Sequence, residues 1–301
     1  MPKHLITIVG PTAIGKTNLS IALASYFNTE IISSDSRQFY KEMNIGTAVP
    51  NQEELEAVKH HFIQHLSIHE NYSVGHFEND AITKLDKLYK KHEHVVMVGG
   101  SGLYTDAVLY GLDNFPKINP EIRKNLKEQF ENTGIESLQE QLKTLDLVTY
   151  NNIDLNNHQR LIRALEICIG TGKPFSSFQT NNKAKRNFTP IKIGLTADRE
   201  IIYDRINKRV DIMMENGLLE EAKNLFKYKH LNALQTVGYK ELFLYFTNEI
   251  SLDFAIEEIK KNTRRFAKRQ LTWYRKDNEI LWFNYNDSPN KVIKKLNQIL
   301  K

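Results

Sequence analysis

The chain has 301 residues, 41% hydrophobic and 26% charged, with a formal net charge of +5 and one cysteine, Cys168. That length suits one large α/β domain with an insertion, or two domains, and excludes neither a sizeable core nor an enzyme. A single cysteine excludes an internal disulfide, and no apolar run approaches the roughly 18 residues of a membrane span, so a cytoplasmic protein with no membrane association is expected. The basic excess points to a polyanionic partner only if the cations cluster.

Leu5-Ile6-Thr7-Ile8-Val9 reads as a buried strand and residues 18–24 as a helix; between them lies Gly10-Pro11-Thr12-Ala13-Ile14-Gly15-Lys16-Thr17. This is the P-loop pattern, otherwise associated with ATP, in the strand–loop–helix context its mechanism needs. Successive N–H groups at the helix N-terminus cradle phosphate, Lys16 reaches terminal phosphate oxygens, and the Thr17 hydroxyl can ligate Mg²⁺. Residues 30–34 form a second strand ending at Asp35, and ligands of doubly wound sheets gather beyond the carboxyl ends of strands. Asp35 is therefore a catalytic candidate facing the P-loop, or a helix N-cap, or both. Residues 51–62 look helical. His61, His65 and His69 follow at i, i+4 and i+8, a zinc-compatible spacing that also fits a packed turn with Phe62, Ile63 and Leu66. A helix over 76–91 puts Phe77, Ala81, Leu85 and Leu88 on one side. The strand 95–98 then runs into Gly99-Gly100-Ser101-Gly102-Leu103-Tyr104. No Asp ends that strand, so a Walker B carboxylate is missing.

From Asn119-Pro120-Glu121 the chain turns helical and highly charged, with Gly134 ending one helix, a second over 137–145, and Asn157 capping a third that carries Gln159, Arg160 and Arg163. Cys168 lies in that helix and reads as a small buried hydrophobe. Residues 179–187 read as a flexible polar connection before the strand 191–195. The expected division is thus a core of 1–118 with 188–301, and a helical insertion of 119–187. Residues 199–226 form one long helix or two, broken at Gly217; Arg205 and Arg209, one turn apart, are either solvated or an anion site. Between Ile259 and Lys276 stand eight Lys or Arg and no acid. Lys261, Arg265, Lys268, Thr272 and Arg275 share one helix face, Phe266, Gln270 and Trp273 another; the run is a solvated face or a phosphate-binding one. A strand at 280–283 and a helix from Asn290 close the chain.

Together these stretches resemble the tRNA dimethylallyltransferase (isopentenyltransferase) family over essentially the whole chain. The marks are residues 10–17, Asp35-Ser36-Arg37-Gln38, Gly46-Thr47-Ala48, His61-Phe62, residues 99–104, residues 159–166, Gly238-Tyr239-Lys240-Glu241 and residues 263–273. The resemblance implies an α/β, P-loop kinase-like three-layer core with a mainly parallel sheet plus a helical insertion. It implies transfer of a dimethylallyl group from dimethylallyl diphosphate to the exocyclic amine of the adenosine 3′ of the anticodon, with Mg²⁺ as cofactor and a monomer acting on tRNA. Carried over by position, Asp35 is the general base, and Lys16, Thr17 and Ser101 join it in catalysis. Residues 10–17 with Arg205 and Arg209 hold diphosphate, with Thr17 on the metal. Asp35, Ser36, Arg37, Gln38, Ser101, Arg123, Gln159, Arg160, Leu161, Ile162 and Arg163 line the tRNA. The chain departs from the family where Ser101 replaces a usual Thr, and where Asn156-Asn157-His158 replaces Asn-Asp-Pro. The zinc-finger extension of eukaryotic relatives is not seen, which favours a bacterial type. Two rivals remain: a P-loop kinase of a small metabolite using ATP, and a non-catalytic RNA-binding protein.

Overall fold

The computed structural model describes residues 2–180 and 183–300. Two compact units emerge, Met1–Tyr110 with Arg186–Lys301, and Gly111–Lys185. The second begins eight residues before the expected 119, because the chain from Gly111 already leaves the first unit, and ends two before 187.

The first unit runs β1 (His4–Val9), α1 (Lys16–Tyr26), β2 (Ile31–Ser33), α2 (Gln52–Ala57), β3 (His60–His61), α3 (Val74–Leu88), β4 (His94–Val98) and α4 (Gly102–Tyr110). The second is α5 (Pro120–Thr133), α6 (Ile135–Leu145), α7 (Leu147–Asn152) and α8 (His158–Thr171). The chain then returns through β5 (Thr189–Thr196), α9 (Arg199–Glu215), α10 (Leu218–Leu225), α11 (Tyr239–Phe246), α12 (Leu252–Tyr274), β6 (Leu281–Asn284) and α13 (Pro289–Ile299).

Among the described residues the strands form one six-stranded sheet ordered β3-β2-β4-β1-β5-β6, every neighbouring pair parallel. Every residue of β1 is buried, as a strand covered on both faces must be. Its side chains divide by alternation: Leu5 joins a core with α3, α10, α11 and α12, while Ile6 and Ile8 join another with α1 and α13. These are the outer layers of a three-layer α/β fold. Phe77, Ala81, Leu85 and Leu88 of α3 are all buried, as their spacing predicts.

Two local expectations change, the helix over 51–62 and the flexible connection over 179–187, and two alternatives left open are decided, the histidines and the break at Gly217. Residues 51–62 are not one helix: α2 buries none of its residues, and His60 and His61 instead pair with Ile31 and Ile32 as an edge strand. The histidines consequently part company. His61 Nε2 lies 2.6 Å from Glu30 Oε2, His65 packs edge-on among Phe39, Phe62 and Tyr72, and His69 meets Tyr228. No metal-holding cluster of three His, Cys, Asp or Glu exists among the described residues, and the packed turn, not the zinc site, is what the spacing encodes. Residues 199–226 are two helices, broken at Gly217 with φ 97°. Of the polar connection 179–187, Asn181 and Asn182 lie outside the described residues. Its far end is fixed, Arg186 donating to Glu78 Oε1 and the Ala107 carbonyl, both at 2.6 Å.

The second unit has its own core of Leu126, Leu138, Leu142, Leu161, Ile162, Leu165 and Cys168. Cys168 is buried there as a small hydrophobe.

Candidate active site

The P-loop leaves β1 beside β5 so closely that a Cβ on Gly10 would stand 2.6 Å from the Leu195 carbonyl oxygen, and both Gly10 (φ 141°) and Gly15 (φ 106°) adopt backbone angles that L side chains avoid. The turn brings residues 12–17 and the first turn of α1 to line one concavity, with the positive end of the helix behind them. Lys16 Nζ donates to the carbonyls of Gly10 (3.1 Å) and Pro11 (2.8 Å). Desolvation lowers its pKa to about 8, with nearby Arg209 pushing the same way and Asp35 opposing. Arg205 Nε donates to the Ala13 carbonyl at 2.7 Å. Arg205 and Arg209 thus line the P-loop concavity with Lys16 and Thr17. Desolvation lowers the Arg209 pKa, and neighbouring Arg205 adds to the effect.

Asp35 follows the carboxyl end of β2. Its Oδ1 accepts from the Arg37 N–H at 3.2 Å, an Asx turn rather than the N-cap of a regular helix. Desolvation raises its pKa, opposed by that N–H and by the charges of Lys16, Arg37 and Arg209. Ser101 Oγ accepts from the Ser36 N–H and lies 3.1 Å from Ser36 Oγ, tying the glycine-rich turn after β4 to the Asp35 segment. Arg37 donates to the carbonyls of Asn232 and Ala233, and Gln38 Nε2 to those of Thr47 and Ala48. Ser36, Arg37, Gln38 and Ser101 therefore stand together around Asp35, with Arg37 and Gln38 engaged by the protein's own backbone.

Two cavities meet at this carboxylate. One, of about 890 Å³, holds the P-loop, Arg205, Arg209 and an apolar wall including Ile45, Val49, Ile63 and Ile212. The other, of about 570 Å³, is lined by Ser36, Ser101, Lys240, Phe266, Arg269 and Trp273 among others. Thr12, Asp35, Thr47, Ala48, Arg209 and Met213 belong to both and form the neck between them.

Sequence reasoning missed the supports of this neck. The Glu221 carboxylate accepts from the N–H groups of Asn44 (3.1 Å), Ile45 (2.8 Å) and Gly46 (2.9 Å), and from the Tyr239 hydroxyl at 2.7 Å, holding the loop that carries Thr47 and Ala48. Gln270 of α12 accepts from the Thr12 N–H and donates to the Gly100 carbonyl. The basic run is also less uniform than its composition. Lys260 pairs with Asp211 and Glu257, and Lys261 with Glu258, acids outside the acid-free window. Arg265, Lys268, Thr272 and Arg275 are exposed. On the other face Gln270 is buried while Phe266 and Trp273 are 37% and 40% exposed.

The remaining expected residues lie in the second unit. Asn157 caps α8 through the Arg160 N–H, and Gln159 and Arg160 are exposed in its first turn. Arg123 and Arg163 share the Glu166 carboxylate, and Arg163 lies over the Phe115 ring. Leu161 and Ile162 are inside the unit's core, 0% and 3% exposed, so their side chains hold α8 in place rather than present a surface. The reason is helical phase: with positions 161, 162 and 165 packed inward, 159, 160 and 163 turn outward.

A parallel sheet of this order, with a glycine-containing strand–loop–helix turn and Asp35 lining the same cavity, defines a P-loop-like α/β protein. A family model for IPP transferase matches residues 38–277. The chain is 62% identical over 292 residues to a tRNA dimethylallyltransferase of Christiangramia forsetii, covering 97% of each. Its structure is similar to the full-length tRNA isopentenylpyrophosphate transferase of Bacillus halodurans (TM-score 0.73, 37% identity, 99% of this chain and 96% of that one). It is also similar to a eukaryotic dimethylallyltransferase acting on tRNA (TM-score 0.77, 28% identity, 95% and 74%). The chain belongs to the IPP transferase family, a family of transferases.

Proposed function

We propose that this protein transfers a dimethylallyl group from dimethylallyl diphosphate to N6 of the adenosine 3′ of the anticodon in tRNA, releasing diphosphate. The observation that carries the reading is the position of Asp35 in the neck joining a phosphate-binding lobe to a second lobe lined by α12. The names of the relatives, which are tRNA dimethylallyltransferases, support the same reaction.

In this reading the loop of residues 10–17 holds the diphosphate through its amides other than those of Pro11, which has no N–H, and Thr12, which donates to Gln270, and with Lys16, Arg205 and Arg209 it stabilises the charge that builds as the allylic carbon–oxygen bond breaks. The adenine leaves its stack and enters the other lobe, where an anticodon loop makes extrusion cheaper than a duplex would. The amine nitrogen attacks the allylic carbon, the electron pair of the broken bond leaves with the diphosphate, and Asp35 takes the amine proton. With Oδ1 turned to the Arg37 N–H, Oδ2 is the accepting atom. The raised Asp35 pKa makes it a stronger base. Ser101 orients the acceptor through its bond to Ser36.

Mg²⁺ fits this site through its donor set: the Thr17 hydroxyl, in the first turn of α1, lines the P-loop concavity, as suits an ion that takes most of its remaining ligands from phosphate and water. Bound there, it would supply further positive charge to the leaving diphosphate. Arg123, Gln159, Arg160 and Arg163 bind the tRNA backbone, and the exposed rings of Phe266 and Trp273 offer faces on which bases stack. In this reading the working unit is a monomer acting in the cytoplasm.

Mixing the protein with undermodified tRNA and either dimethylallyl diphosphate or ATP, followed by mass analysis of the nucleosides, tests the proposal. A prenylated adenosine formed only with the allylic donor is expected. ATP consumption without prenylation would establish the kinase instead.

A further inference from the structure

Gln270 is a buried polar residue near the C-terminal end of the basic helix α12, only 5% exposed, with both ends of its side chain engaged. Its Oε1 accepts from the Thr12 N–H at 2.9 Å and its Nε2 donates to the Gly100 carbonyl at 2.8 Å. The partners fix this orientation: an N–H requires the oxygen and a carbonyl requires the amide nitrogen. Thr12 belongs to the phosphate-binding loop and lines the neck. Gly100 adjoins the base, since a Cβ there would be 3.7 Å from Asp35 Oδ2. One amide group therefore spans the loop that holds the leaving group and the turn that stands against the base. Neither loop belongs to the other's secondary-structure element.

We propose that Gln270 is a positioning residue that sets the distance between donor and base, by bracing the Thr12 amide against the Gly100 carbonyl. It touches neither substrate in this role. The inference rests on the transfer reaction proposed above. Reactions between held groups depend steeply on geometry, and a displacement of about 1 Å can cost roughly 10²-fold in rate. An apolar side chain of similar length fills the space but drops both hydrogen bonds, freeing the two loops to drift. A glutamate behaves differently. Ionised, it still accepts from Thr12 but sets an oxygen against the Gly100 carbonyl; protonated, its hydroxyl donates to that carbonyl and restores the brace. Burial beside Asp35 favours the protonated form.

The test is single-turnover transfer with dimethylallyl diphosphate and tRNA, both saturating, for wild type, Gln270→Met and Gln270→Glu. Gln270→Met should lose about 10²-fold in rate with its KM for tRNA unchanged. The ratio of the Gln270→Glu rate to the wild-type rate should climb at least several-fold between pH 8 and pH 6, in one protein whose folding is checked at both pH values. A ratio flat with pH, or Gln270→Met turning over at the wild-type rate, overturns the assignment. Should Gln270→Met fail to fold, the pH ratio of Gln270→Glu decides alone. A wild type that transfers nothing refutes the parent reaction, whereas an active wild type matched by both variants refutes only the role of Gln270.

Discussion

The P-loop and helix α12 meet in the same cleft, yet they are written into the chain in opposite ways. Residues 10–17 work through backbone geometry that a short stretch dictates by itself: an apolar strand before, two glycines within, a helix after. Helix α12 works through which of its faces meets the rest of the protein, and the window 259–276 does not contain that information. Its cations look equivalent in sequence, but Asp211 of α9 and Glu257 and Glu258 of the preceding turn neutralise Lys260 and Lys261 and leave Arg265, Lys268 and Arg275 outward. Gln270, which reads as one more polar position, is the residue that reaches the P-loop. Chemistry carried by a local turn is legible; chemistry carried by docking is not.

The predictions set these two regions against each other. The largest effect belongs to Asp35, the proposed base, which lines the cleft with both. Asp35→Asn should slow single-turnover transfer about 10²- to 10⁴-fold while the fold survives, and an unchanged rate would remove the base from the mechanism. Next, Lys16→Ala takes one cation from the leaving diphosphate, and a loss of about 10²- to 10³-fold in kcat is expected, with tRNA affinity spared. If tRNA affinity fell equally, the local loop would be serving the RNA, and the contrast would fail.

On the helix, Trp273 is held by a hydrogen bond from its Nε1 to Asp106 Oδ2 at 2.8 Å while its ring stays 40% exposed. Trp273→Ala should cost about 1–3 kcal/mol of tRNA affinity if a base stacks there, and Trp273→Phe should recover most of it. The smallest effect is the outward charge. Replacing Arg265, Lys268 and Arg275 together by Gln should flatten the slope of log affinity against log salt by about 2 for single-stranded phosphate, with saturated rate unchanged. Parallel salt lines for mutant and wild type would mean that this face meets only water.

The central strands, the strand–loop–helix of residues 5–24 and the α3 stripe of Phe77, Ala81, Leu85 and Leu88 could be read before the structure, because strand runs, glycine spacing and helical stripes are local, while the three layers followed from the family resemblance. What could not be read has a common cause. The Glu221 carboxylate holds amides 175 to 177 residues away, and Gln270 holds one 258 residues away. Periodicity carries no trace of such pairings. The same cause undid the helix expected over 51–62, since His60 and His61 were claimed by β2. Leu161 and Ile162 are hidden in a different way. They sit beside the exposed Gln159 and Arg160 and the half-buried Arg163, and a contiguous motif hides the helical phase that packs 161, 162 and 165 inward.

The central claim is that one carboxylate stands between a phosphate cradle and the acceptor base, and the pH profile of kcat/KM for dimethylallyl diphosphate tests it most directly. Asp35, its pKa raised by desolvation, must lose its proton to act, so activity rises with pH through that pKa. Lys16, lowered to about 8, must keep its proton to hold diphosphate, so activity falls as pH passes about 8. A bell is therefore expected for the wild type. Asp35→Asn should lose the difference on the acid limb and keep the decline near pH 8. An acid limb identical in Asp35→Asn and wild type would contradict the account.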